Sequence, residues 1–285
     1  MYMKLKDGKS KVLTFSYDDG VIQDIRLIEI LNKHGLKGTF NINTGRYLPE
    51  DTERDKPYDE IARDLTLRRM RLSEAQKLYV NSGHEVAVHG YDHLFLTQSS
   101  NNEIFYEILE DRKNIQKQYK TMARGMAYSM GRFDDRVNEV LRQCGICYSR
   151  STKSTESLEF PKEWLPLHPT CSTHNPRLME LAERFVEKEP RHRCDNWMFY
   201  VWGHAYEFDE HNSWDIIEKF AEYIGGRDDT IWYATNIEIY DYVQAYNSLQ
   251  ISADKSFVHN PTATDVWFIE NNKTYCVRGG ETLFL

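Results

Sequence analysis

Short runs rich in β-branched and aromatic residues alternate with longer amphipathic segments from residue 12 to residue 246, and no other feature constrains the fold as tightly. The strand candidates are Val12–Ser16, Gly38–Ile42, Glu85–Val88, Arg124–Ala127, Ile146–Ser149, Asn196–Trp202 and Ile231–Thr235. Between them lie segments with apolar residues at three- and four-residue spacing: Gln23–His34 (stopped by Gly35), one starting at Ser73 with Gln76 completing a capping box, Asn102–Tyr119, Asp134–Cys144, Pro176–Lys188, Ser213–Tyr223 and Glu238–Tyr246. This order predicts an α/β chain with a parallel sheet faced by helices. An open doubly wound sheet and a closed barrel both satisfy it. Asp18, Asp19, His89, Tyr128, Arg150 and His204 all fall just past the C-terminal ends of strands, where barrel enzymes keep their chemistry. The expectation is therefore a distorted (β/α)7 barrel.

Two stretches break the alternation. Residues 44–70 form a charged insertion that either rims the mouth of the site or is plain surface. From Leu249 the pattern turns to short β-like pieces punctuated by Asn271-Asn272 and Gly279-Gly280, which predicts a small C-terminal antiparallel β appendage. The boundaries expected are 1–248 for the barrel and 249–285 for the extension.

Composition removes several classes of function. A net charge of −8 lacks the basic footprint of a nucleic-acid binder, and no apolar run approaches a membrane span. The N-terminus leaves no room for a signal peptide ahead of the first strand, so a cytoplasmic location is the default expectation, with secretion the alternative if a leader has been removed. The five cysteines are scattered, and Cys144 and Cys147 sit where a helix ends, so core thiols are expected. Nothing specifies an oligomeric state.

Chemistry concentrates at three places. Val12 to Gly20 ends a strand on Asp18-Asp19-Gly20, two carboxylates whose side chains diverge, so that one can bind a cation while the other takes a proton. Taken alone, such a motif also suits a helix cap. Glu85 to His93 closes a strand on His89 and His93, four residues apart, a spacing that lets both imidazoles meet one cation. Imidazole with carboxylate suits zinc, with cobalt, nickel or manganese as alternatives. Phe199 to His204 ends a late strand on a histidine able to deliver a proton.

With these residues in view, the chain resembles the polysaccharide deacetylases of carbohydrate esterase family 4, the NodB-homology domain. Thr14-Phe15-Ser16-Tyr17-Asp18-Asp19-Gly20 is similar to that family's Thr-Phe-Asp-Asp-Gly motif with two residues inserted. His89 to His93, running on through Thr97, resembles its histidine motif, Ala127 to Asp135 its third motif, and Trp202-Gly203-His204 its last. Ala127 stands where the family carries an arginine, Ser129-Met130-Gly131 replaces Pro-Tyr-Gly, and the Asp-containing fourth motif has no clear counterpart. The resemblance spans roughly residues 10–246.

The resemblance implies a carbohydrate substrate and one divalent ion held by Asp19, His89 and His93. It implies a metal-bound water as nucleophile, Asp18 as general base, His204 as general acid and a backbone N–H near Met130 facing the oxyanion. Arg150 is the candidate to orient the base in place of the missing arginine. Tyr128, Met130, Trp202 and Tyr206 are the candidate substrate contacts, with Tyr91 beside them. The reaction implied is removal of acetyl groups from N-acetylated or O-acetylated sugars. Two alternatives stay open: an amidohydrolase of the same fold acting on a non-sugar amide or cyclic ureide, and a non-catalytic carbohydrate-binding relative. His168 is expected to be a loop histidine, and His34, His84, His174, His192, His211 and His259 have no companions that suggest chemistry.

Overall fold

The computed structural model describes residues 1–285, the side chain of Asp59 excepted. Its centre is β1 (Lys11–Asp18), buried along its whole length. Leu13, Phe15 and Tyr17 point out into the main apolar core, while Thr14, Ser16 and Asp18 alternate with them and face inward. That alternation carries Asp18 into the barrel mouth.

The parallel strands are β1, β2 (Gly38–Ile42), β3 (Glu85–Val88), β4 (Gly125–Ala127), β5 (Tyr148–Arg150), β6 (Cys171–Ser172), β7 (Trp197–Gly203) and β8 (Ile231–Tyr233), in the order β5-β4-β3-β2-β1-β7-β6. β1 changes partner along its length: Phe15–Asp18 pair with β2, and Lys11–Leu13 pair with β8. The sheet curls into a distorted, incompletely closed (β/α)7 barrel. Across the seam a single parallel bridge joins Arg150 to Leu167, just ahead of β6. All seven expected strands are present. β6 is additional, and at two residues it is too short to show a period.

Helices α1 (Asp24–Lys33), α2 (Tyr58–Arg63), α3 (Leu72–Tyr79), α4 (Asn101–Tyr119), α5 (Asp135–Gln143), α6 (Leu178–Glu187), α7 (Tyr206–Glu210), α8 (Trp214–Ile224) and α9 (Asn236–Asn247) make up the rest of the α/β pattern. Reciprocal capping boxes start α4 (Ser100 with Glu103) and α9 (Thr235 with Glu238). The box expected at Ser73 and Gln76 is absent. Glu74 accepts the Arg71 N–H at 2.8 Å, so α3 begins two residues earlier than the Ser73 cap required, and the Ser73 hydroxyl donates to Glu50 at 2.6 Å.

The C-terminal extension is antiparallel, as expected. Val266–Glu270 and Lys273–Val277 form a hairpin whose turn residues, Asn271 and Asn272, sit at φ 47° and 63°, where asparagine is tolerated best after glycine. This sheet also takes in the N-terminal Tyr2–Met3, and Val258, Val266, Phe268 and Val277 pack with Ala245 of α9. The appendage is thus fastened to the barrel by the N-terminal strand and by α9. No helix is long and apolar enough to cross a membrane.

Candidate active site and metal centre

Two of the site side chains, Asp19 and His93, follow strand ends at backbone kinks. Asp19 sits at φ 87° and His93 at φ 59°, in the left-handed region that a side chain with a Cβ enters at a cost of about 1–3 kcal/mol. The surroundings hold both. The Asp19 N–H donates to Asn41 at 2.9 Å and its carbonyl accepts from Arg69. Gly90, at φ 86°, allows the turn from His89 to His93; a Cβ there would lie 2.6 Å from the Glu107 carboxylate, which accepts the N–H groups of Asp92 and Leu94.

His89 is fixed on all sides. Its N–H reaches Asp111 at 3.1 Å, its carbonyl accepts from Asn43 (2.9 Å) and Ser129 (2.7 Å), and its Nδ1 meets the Ala127 carbonyl at 2.9 Å. That last bond sets the tautomer and leaves Nε2 bare toward the cleft. The Nε2 atoms of His89 and His93 stand 3.1 Å apart, and Asp19 Oδ1 is 4.0 Å from each. Two imidazoles bound to one tetrahedral ion about 2.0–2.1 Å away sit roughly 3.3 Å apart, so the donor set and its spacing fit a divalent ion. Burial and the neighbouring His89 push the His93 imidazole down to about 4, keeping its lone pair available. Burial alone would raise the Asp19 carboxyl, but Arg69 and the histidines outweigh it and hold the group far below the carboxylate range.

Asp18 has its own partners. Arg150, fully buried, binds Asp18 Oδ2, and Asn41 donates to Oδ1 at 2.9 Å. Burial works to raise this carboxyl, yet Arg150, His89 and His204 hold it below its ordinary value. Arg150 in turn lies under the Trp202 ring at 4.6 Å. The sequence had supplied Arg150 as the partner of the base, and the two do meet.

His204 Nε2 is 3.9 Å from Asp18 Oδ2, and its Nδ1 meets Glu207 at 3.1 Å. Burial lowers its pKa, but the Glu207 bond and the nearby Asp18 and Asp19 outweigh burial, so the net shift is upward. His174, expected to have no chemical company, lies 3.5 Å from the same Glu207 and is anchored by Ser213 at 2.8 Å. Sequence reasoning missed Glu207, His174, Asn41, Asn43 and Arg69. The only signal for Glu207 was its place three residues after His204.

Asp18, Asp19, His89, His93, Tyr128, Met130, His204 and Tyr206 line one cleft of about 400 Å³ together with Arg46, Leu65, Arg68, Arg69, Gly131 and Thr152. The insertion therefore reaches the mouth at its two ends, through Arg46 and through Leu65, Arg68 and Arg69. The aromatic residues are less free than expected. Tyr128 stacks on Phe133 at 4.9 Å and bonds Asn138, so it forms wall. Tyr206 already has the Arg68 guanidinium 3.4 Å from its ring centre, and Trp202 covers Arg150 without lining the cleft. Met130 stands at the opening, 47% exposed. His168 bonds Ser151 at 2.6 Å and lines a different depression.

The polysaccharide deacetylase family model matches residues 5–149, half of the chain, and the chain belongs to that family. No curated protein matches in sequence. Among solved structures, a Mycobacterium smegmatis protein described as a polysaccharide deacetylase is similar at TM-score 0.56 and 14% identity, over 86% of this chain and 94% of its own. The Xyl-CE4 domain of a multidomain xylanase from the hindgut metagenome of Trinervitermes trinervoides is similar at TM-score 0.53 and 14% identity, over 83% and 92%. A mutant of BA3943 from Bacillus anthracis, described as a CE4 family pseudoenzyme, is similar at TM-score 0.50 and 17% identity, over 85% and 70%. At such identities the likeness shows the fold.

Proposed function

We propose that the chain is a metal-dependent deacetylase of N-acetylated sugars, releasing acetate and a free amine. One observation carries the reading. A cation-ready trio, Asp19, His89 and His93, shares one cleft with an arginine-held carboxylate, Asp18, and a carboxylate-held imidazole, His204. A fold shared with a pseudoenzyme does not by itself imply turnover, so the argument rests on these side chains.

Asp19 Oδ1 and the Nε2 atoms of His89 and His93 are the groups that would hold the ion, zinc being the best match to two imidazoles and a carboxylate. When bound, such an ion supplies Lewis-acid polarisation and makes water more acidic. The remaining work falls to the chain's own residues. Asp18, kept ionised by Arg150, retains lone-pair capacity beyond its two present bonds and takes the proton from the attacking water. A backbone N–H at the Met130 turn faces the developing oxyanion. His204 carries its second proton on Nε2 when cationic, because Glu207 occupies Nδ1, and it gives that proton to the departing nitrogen. An amine leaves as a neutral group only if protonated, so base and acid must stand at different points around one carbon. Their 3.9 Å separation at the mouth meets that need.

The test is metal analysis of purified protein together with acetate release from a panel of N- and O-acetylated glycans. A metal near one equivalent with acetate released supports the reading; a metal-replete protein that releases none from any glycan overturns it.

A further inference from the structure

The insertion between β2 and α3 brings more positive charge to the cleft than the proposed chemistry uses. Arg150 covers Asp18 and Arg69 covers Asp19, so the cations left at the cleft are Arg46, which has no carboxylate partner among the described residues, and Arg68, whose one carboxylate is Glu210 at a long 3.3 Å. Arg46 spends Nε and Nη2 on the Asp92 carbonyl, at 3.1 and 2.7 Å, and remains exposed. Arg68 is only 5% exposed. Its guanidinium lies on the Tyr206 ring, its Nη1 makes a long 3.3 Å contact with Glu210, and its Nε is enclosed without a partner among the described residues. A desolvated guanidinium with five donors and one long bond is under-satisfied, and an oxyanion presenting two oxygens is the group its fork matches. The whole chain carries −8, so the long-range field does not gather anions; only a local contact does.

We infer that the cleft takes an acylated amino sugar bearing a negative charge, a carboxylate or phosphate, on or beside the unit being deacylated, and that Arg68 reads that charge with Arg46 at the rim. The inference rests on the deacetylase reading and narrows its substrate class. A purely structural Arg68, pinning the insertion to α7 through Tyr206 and Glu210, is the competing account.

Binding decides between them independently of turnover. The probes are the N-acetylglucosamine tetramer against the uronate–N-acetylglucosamine tetramer of equal length, and N-acetylglucosamine against its 6-phosphate, titrated calorimetrically into metal-replete protein. At least one anionic probe is expected to bind about tenfold tighter than its neutral counterpart, and which one identifies the source of the charge. The gap is expected to shrink in about 0.5 M salt and to vanish in Arg68→Met while neutral affinity stays, with Arg68→Lys keeping part of it. Equal affinities in the unsubstituted protein, a gap that survives Arg68→Met, or no binding of either anionic probe overturns the inference. Should Arg68→Met fail to fold, the ratio in the unsubstituted protein and its salt dependence decide. Acetate release is followed separately. A charge preference without acetate sinks the deacetylase reading alone, whereas acetate release without preference sinks the charge-reading role alone.

Discussion

The two ends of the barrel solve the problem of a buried carboxyl in opposite ways. At the mouth, Asp18 faces the Arg150 guanidinium and two imidazoles, and these hold it ionised against the cost of burial. At the floor, Glu85 is met by neutral donors: the Tyr148 hydroxyl at 2.7 Å, the Thr39 hydroxyl at 2.8 Å and the Ile237 N–H at 2.9 Å. With no cation beside it, burial pushes the Glu85 carboxyl up to about 7. Between the ends runs a polar interior, with Asn41 bonded to Ser16 and Asn236 bonded to both Thr14 and Tyr200. Hydrogen bonds lower the carboxyl pKa at either end, but at the floor burial outweighs them, and at the mouth the added full charges tip the balance to the ionised form. A group that must take up a proton needs the mouth's arrangement, and a group that only ties strands together does not.

The largest effect expected concerns the metal trio. Chelation should abolish acetate release and zinc should restore it, while Asp19→Ala and His89→Ala should lose both metal and activity. Next comes Asp18→Asn, which keeps the shape but not the base. Its kcat should fall about 10²–10⁴-fold with bound metal unchanged, by kinetics and metal analysis. Unchanged turnover in metal-replete Asp18→Asn would erase the functional contrast between mouth and floor.

Glu207→Gln sharpens the same contrast by removing one charge from the mouth. Glu207 raises the pKa of His204, so its loss should return that imidazole toward the ordinary value of about 6.5. An acid catalyst must be protonated, and the alkaline limb of the pH–rate profile should therefore move to lower pH. A fall of about tenfold is expected on the alkaline side and little change near pH 6. A uniform loss at all pH values would mean that Glu207 only positions the ring.

The legible part of the molecule was whatever repeats or lies local in sequence. Strand–helix alternation pointed to the parallel sheet because strands such as Lys11–Asp18, Gly38–Ile42, Glu85–Val88 and Ile231–Tyr233 bury short β-branched or aromatic runs, and the reactive residues at the strand ends then favoured the barrel. The cluster of Asp19, His89 and His93 was legible in pieces, a carboxylate pair at a strand end and two histidines four residues apart, and the family resemblance chose Asp19 over Asp18. Arg150 was found by its strand-end position, although nothing local foretold complete burial. Arg69 and His174 were not legible. Each acts through a partner more than thirty residues away, and the insertion carrying Arg69 has no period that fixes which arginine turns inward. Trp202 and Tyr206 were candidate substrate contacts, and guanidinium groups cover both rings, a pairing that composition cannot reveal.

The smallest effect is expected at the floor and concerns stability. Glu85 has a folded pKa of about 7 against about 4.3 in the unfolded chain, so the folded state binds its proton more tightly. That contribution is complete below about pH 4 and is lost as pH rises through 7. Asp24 and Asp111, pushed up by burial to about 7, add to the same slope, whereas Asp18 and Glu207, both lowered, lose their contributions only at acid pH. Melting temperature should therefore fall between about pH 5 and 8, and Glu85→Gln should flatten part of that fall. The glutamine can still accept from Thr39 and Ile237 through its oxygen, but it turns an N–H toward the Tyr148 hydroxyl, so a modest loss at pH 5 is expected as well. An unchanged slope in Glu85→Gln would mean that Glu85 is ionised at neutral pH, and the floor would then handle its carboxyl as the mouth does.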